Sequence, residues 1–234
     1  MGSLSWRQFT AILRKDIVME LRTREMLTSM GLYAILTMVV YQIALVEAGE
    51  GLDVRLVMPG LVWVAFIFMS MLGLNRSFVH EKDQGCLEAL LLSPIDRPVI
   101  FLSKFTGNLL FLLVVEVLTL PVFAFLFLQG RAGFGGPLWM LALVLVGASI
   151  GISGIGTLLA TISVNTTGKD IMLAVLFVPL QYPLLRAAVG ATFAAVIGGP
   201  DAMASFWTWM GWIGGFDIIM VLAAFGLYEF VIEA

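Results

Sequence analysis

The sequence predicts an all-α integral membrane protein: six membrane-spanning helices behind an amphipathic helix lying in the membrane interface. Three observations predict it. Of 234 residues, 60% are hydrophobic and 12% charged, whereas a soluble domain carries about 25% charged residues. Six apolar stretches of spanning length recur along the chain, each near the ~20 residues that a bilayer requires. Alternating apolar and polar strand patterns are absent, which argues against a β-barrel.

Residues 1–26 are too charged to span. Trp6, Phe9, Leu13, Ile17 and Leu21 recur at spacings of three and four, with Arg7, Arg14, Arg22 and Glu25 on another face. This pattern predicts an interfacial helix, serving as an anchor or as an elbow that moves with a partner. The spans follow at about 27–46, 56–75, 106–128, 137–162, 171–190 and 209–230, so residues 27–234 form one helical membrane domain. Net charge is −3, and nothing suggests a nucleic-acid partner. One cysteine and one histidine exclude an internal disulfide and a multi-histidine metal site.

Loop charge sets the orientation. Ten lysines and arginines fall in 1–26, 76–104 and 163–170, against Arg55 and Arg131 in the alternate connections. By the positive-inside rule both termini and the loop after span two are cytoplasmic. Trp207, Trp209 and Trp212 then sit at the outer edge of span six, as an aromatic belt would.

That loop is the most charged part of the chain. Its centre, Cys86 to Leu92, reads as a short helix ended by Ser93-Pro94. Leu87, Leu90 and Leu91 give it an apolar face directly after Glu81, Lys82, Asp83 and Gly85. Such a face needs the membrane surface, a partner's groove or the end of the bundle to cover it. The loop cannot hydrolyse ATP: no G-x-x-x-x-G-K-[ST] run exists in the chain.

The segment "MPGLVWVAFIFMSMLGLNRSFVHEKDQGCLEALLLSPIDRPVIFLSKF", residues 58–105, resembles the CcmB family, the B subunit of the cytochrome c maturation ABC transporter. The matching features are Pro59-Gly60, Val62-Trp63-Val64, Arg76, Asp83 to Glu88, Leu90 to Pro94, and Lys104. "GASIGISGIGTLLATI" and "FVPLQYPLLRAAVG", 147–162 and 177–190, resemble that family's fourth and fifth spans. Cys86 stands where the family usually has serine, Gln84 where it has an acid, and Arg186 in a stretch it usually keeps apolar.

The resemblance implies an ABC-2-like permease subunit of a bacterial-type inner membrane, not itself an enzyme. Its short cytoplasmic coupling helix, between spans two and three, would dock in a groove of a separate cytosolic ATPase. Glu81, Asp83, Gly85, Leu87, Glu88, Leu90, Leu91 and Pro94 would make that contact. A haem-handling membrane subunit and a small membrane subunit would complete the assembly, with two copies of this chain. ATP would be bound by the ATPase and haem by the haem-handling subunit, with no cofactor on this chain. The cycle would export haem or release a haem-loaded chaperone on the outer face. Two alternatives stand: an ABC-2 permease for a lipid, polysaccharide or drug, and a membrane scaffold that transports nothing. A stand-alone secondary transporter would be expected to show inverted repeats, and none is visible.

Other residues carry expectations of their own. His80 and Cys86 are cytoplasmic, so a solvated histidine and a packing cysteine are expected rather than haem ligands. The thirteen methionines read as packing. Gly147, Gly151, Gly154 and Gly156 make a small-residue face for close helix approach, inside the bundle or at a dimer seam. Pro179 and Pro183 predict a kinked or broken fifth span, as a hinge or a static distortion. Glu116, Arg186 and Asp217 lie at comparable depths in the membrane, where ionisable residues are costly. An ion pair between Arg186 and one of the two acids is the favoured expectation, with a substrate contact as the alternative; without an acid partner Arg186 is expected to snorkel to the outer interface.

Overall fold

A computed structural model describes residues 2–47, 53–83, 95–128, 136–164 and 169–232. Seven helices make up these residues: α1 (Gly2–Thr23), α2 (Glu25–Glu47), α3 (Val54–Asp83), α4 (Arg97–Leu128), α5 (Leu138–Val164), α6 (Lys169–Ile197) and α7 (Ala202–Ile232). No strand occurs among the described residues. Six of the helices, α2 to α7, are long and apolar enough to cross a membrane.

The predicted spans all fall on these helices, but several boundaries move. The third span, on α4, begins at Arg97 rather than near 106, because Lys104 is 2% exposed and sits inside the bundle instead of ending it. The fifth span runs on to Ile197 rather than ending near 190, because Gly190 is a packing site for Trp209, not a terminus. The sixth begins at Ala202 rather than 209.

Local chemistry sets the helix ends. Arg24 separates α1 from α2 with a φ of 56°, a left-handed conformation that is uncommon outside glycine. Across that break the Glu20 carboxylate accepts a hydrogen bond from the Leu27 amide at 2.8 Å, satisfying one of the free donors of the α2 N-terminus. Pro98 occupies the first turn of α4, where its missing N–H costs nothing. Gly198, at a φ of 70°, ends α6 in the left-handed conformation typical of helix C-termini.

Helix α5 is the centre of the bundle and touches α3, α4, α6 and α7, while α2 packs on α3 and α4. Its small residues permit this. A Cβ at Gly147 would meet Ile213, at Gly154 Val221, and at Gly156 Leu74. The glycine face of α5 is therefore used inside the bundle, against α7 and α3, and not as a seam between copies.

The fifth span is not broken at its prolines. Helix α6 runs continuously from Lys169 to Ile197 through Pro179 and Pro183, and both prolines are exposed.

Candidate functional site

Two features of the described structure adjoin the charged loop or fill the membrane interior. The first is a clamp at the loop end of the bundle. Helix α1 packs along the first turns of α4. Ile12 is buried in a small core with Ile100, Phe101, Ala224 and Tyr228, separate from the main core. Lys104 Nζ donates to Asp16 Oδ2 at 2.8 Å, with the lysine side chain 2% exposed and the aspartate 12%. Ser103 Oγ donates to the Val99 carbonyl at 2.8 Å and reaches the Phe9 carbonyl of α1 at 3.4 Å. A buried lysine is tolerable because its charge is met by a carboxylate from the neighbouring helix.

The apolar face of α1 thus divides. Ile12 is buried, and Phe9, Leu13 and Ile17 are half-buried. Trp6, Val18 and Leu21 remain exposed, as an interfacial helix requires. The loop-charge count and the family resemblance mark Lys104 only as a lysine at a span entrance. Asp16 carried no signal, because a lone aspartate among arginines looks like part of a solvated face.

The clamp adjoins the predicted coupling segment. Helix α4 starts two residues after Ile95, directly beyond the charged loop. Glu81 and Asp83 lie in the last turn of α3. Gly85, Leu87, Glu88, Leu90, Leu91 and Pro94 lie outside the described residues.

The second feature is a polar seam through the bundle. Glu116 of α4 is fully buried, and its Oε2 accepts a hydrogen bond from Ser149 Oγ of α5 at 2.7 Å. Asn108 Nδ2 donates to Thr157 Oγ1 at 3.0 Å across the same pair of helices. Gln181 of α6 and Asp217 of α7 both converge on Gly151. Gln181 Nε2 lies 3.5 Å from the Gly151 carbonyl. A Cβ at Gly151 would collide with Asp217 Oδ1. Glu116 Oε1, Asp217 Oδ1, Gln181 Oε1 and Ser153 Oγ have no hydrogen-bond partner among the described residues. Glu116 also lines a cavity of about 500 Å³ with Met58, Leu120 and Leu145, beside the Trp63–Thr192 hydrogen bond of 2.8 Å.

The expected ion pair does not form. Arg186 makes no salt bridge to Glu116 or Asp217 among the described residues. Its guanidinium lies over the Trp209 ring at 4.5 Å from the centroid, on the exposed side of α6. Comparable depth placed the three charges at one level, but the azimuth around each helix decides contact. Glu116 and Asp217 face inward and Arg186 faces outward. Trp209, expected in an aromatic belt, is half-buried against Gly190 and Arg186, whereas Trp207 and Trp212 are exposed. Among the described residues, no group of three or more His, Cys, Asp or Glu could hold a metal ion.

Six apolar helices around a polar, glycine-packed centre define a multi-pass α-helical membrane protein. Residues 7–231 match the CcmB protein family, and the chain belongs to that family. It is 32% identical over 149 residues to a Pseudomonas aeruginosa protein named heme exporter protein B, covering 64% of this chain and 65% of that one. A Bradyrhizobium diazoefficiens protein of the same name is 25% identical over 192 residues, covering 81% of this chain and 82% of its own length. Its Escherichia coli counterpart is 41% identical over 46 residues, 20% of this chain and 21% of that one. The match to the Pseudomonas relative thus spans slightly under two thirds of that protein.

Proposed function

We propose that this chain is the permease subunit of an ABC transporter serving cytochrome c biogenesis. It would couple ATP hydrolysis by a separate cytosolic ATPase to haem export or to release of a haem-loaded chaperone. The observation that carries the reading is family membership over nearly the whole chain, together with relatives named for haem export. The chain itself is a non-catalytic component. Its partners are the ATPase, a haem-handling membrane subunit and a small membrane subunit, with two copies of this chain per assembly. It resides in a bacterial-type inner membrane with both termini in the cytoplasm. Residues 1–26 act as the elbow and 27–234 as the permease domain.

The clamp supports a physical route for coupling. A push on the segment before Ile95 acts on the first turn of α4, and the Lys104–Asp16 pair, about two turns further along, joins α4 to α1. Motion of the loop then carries the elbow helix with it. The roles of Glu81, Asp83, Gly85, Leu87, Glu88, Leu90, Leu91 and Pro94 in ATPase contact belong to this reading.

The test is complementation. In a bacterium deleted for its own B subunit and carrying the matching partner genes, this chain should restore covalent haem attachment to a c-type cytochrome. Stable membrane insertion without any restored haem staining would reject the reading.

A further inference from the structure

The outward face of α6 and α7 carries a cation that the bundle does not use. Arg186 lies seventeen residues from the start of α6 at Lys169 and eleven from its end at Ile197, or ~26 Å and ~16 Å at 1.5 Å per residue. Its side chain is exposed, and it meets no acid among the described residues. An exposed cation at such depth is costly and is a functional hypothesis by default. It is also held in place: the guanidinium stacks on Trp209, whose indole is seated against Gly190.

Around it runs a groove of about 640 Å³, within the range of small-molecule sites. Tyr182, Arg186, Trp209, Gly211, Trp212 and Gly215 line it. Tyr182 is 65% exposed and Trp212 66%. A Cβ at Gly211 or Gly215 would meet nothing within 4 Å, so α7 presents bare backbone beside the aromatic rings. The groove therefore combines flat apolar walls, an open glycine floor and one planar guanidinium, a group suited to bidentate carboxylate binding.

We propose that this groove binds a flat, apolar carboxylate, the guanidinium of Arg186 taking the carboxylate and the indole rings taking the flat body. The proposal rests on the haem-export reading only for its biological occupant, a porphyrin dicarboxylate. The chemistry of recognition stands on the groove. An aliphatic lipid tail would not require aromatic rings beside a guanidinium, and an anionic headgroup phosphate is the competing occupant that the test separates.

The test uses the full chain in nanodiscs of zwitterionic lipid, titrated with protoporphyrin IX and, separately, with its dimethyl ester. Tryptophan quenching and the porphyrin absorption band report binding. The diacid should bind saturably and at least tenfold more tightly than the ester. Arg186→Gln should abolish that preference, and Arg186→Lys should retain part of it. Gly215→Leu serves as a second variant, filling the groove from its open side; it should weaken the diacid while leaving the thermal melt unchanged. Equal binding of diacid and ester, or Arg186→Gln binding like the parent, would overturn the proposal. So would displacement of the bound diacid by phosphatidylglycerol at a few per cent of the lipid, which would make the site one for anionic headgroups. Failure here would leave complementation by the parent chain intact, so the two readings are tested separately.

Discussion

Lys104 and Asp16 are separated by 88 positions, yet their atoms meet at 2.8 Å in a site almost closed to solvent. Removing one partner of a buried pair costs about 3–5 kcal/mol when the remaining charge is stranded; Asp16 also meets the half-exposed Lys15 at 3.1 Å, which offsets part of the loss. Asp16 keeps slight solvent access, so Lys104→Ala should fall at the lower end, about 3 kcal/mol. The double variant with Asp16→Ala should lose less than the sum of the singles, with a coupling of about 1–3 kcal/mol. Denaturant titration in mixed micelles measures both. Strict additivity would mean that the pair does not hold α1 to α4. Ser149 supports Glu116 in a comparable way. Ser149→Ala removes the hydroxyl donor and leaves a buried acceptor unmet, an effect of about 1–3 kcal/mol in the same titration. A neutral result would show that another donor reaches that carboxylate. Such pairings are not readable in the chain. Sequence reading identified Glu116 as buried and costly, but its partner, Ser149, is one of many hydroxyls in the spans.

Between elements, the crossing of α5 over α7 is where glycine matters most. A Cβ at Gly154 would lie 2.8 Å from Val221 Cγ2, whereas one at Gly214 on α7 would meet nothing within 4 Å. Gly154→Val should therefore lower stability by about 1–3 kcal/mol through overpacking. Gly214→Ala should be neutral or stabilising by roughly 0.5–1 kcal/mol, because it lowers the freedom of the unfolded chain without a clash. Thermal melts of the two variants side by side check the contrast. Equal effects would mean that the α5–α7 contact is looser than its geometry. The sequence marked the small-residue face of α5 but left its partner open between the bundle and a second copy. Spacing gives the face of a helix, not what covers it. The spans were legible because ~20 apolar residues are required for physical reasons. Their ends were less so, since Lys104 and Gly190 look like terminators until their partners are known. The double proline predicts a kink or a break; α6 runs through both residues, so there is no break.

For the whole molecule, loop charge sets the orientation. With ten lysines and arginines in 1–26, 76–104 and 163–170 and only Arg55 and Arg131 in the alternate connections, reporters fused at Ala234 and near Gly133 should report opposite sides of the membrane. Agreement between them would overturn the six-span topology. The general architecture, with six spans and an amphipathic helix ahead of them, was legible from hydrophobic length and periodicity alone. The clamp beneath the loop was not, because it depends on contacts between the first helix and the fourth. That clamp makes the central claim mechanical: a partner's grip on the loop before Ile95 would act on α4 and, through Lys104 and Asp16, on α1. The most direct test changes Leu90 and Leu91 together to aspartate and measures how much of the cognate ATPase co-purifies with the membrane-inserted chain. Each charge placed in a buried groove costs several kcal/mol if unpaired, so the ATPase should be lost while insertion and the thermal melt of the bundle stay at parental levels. Undiminished co-purification would contradict the account.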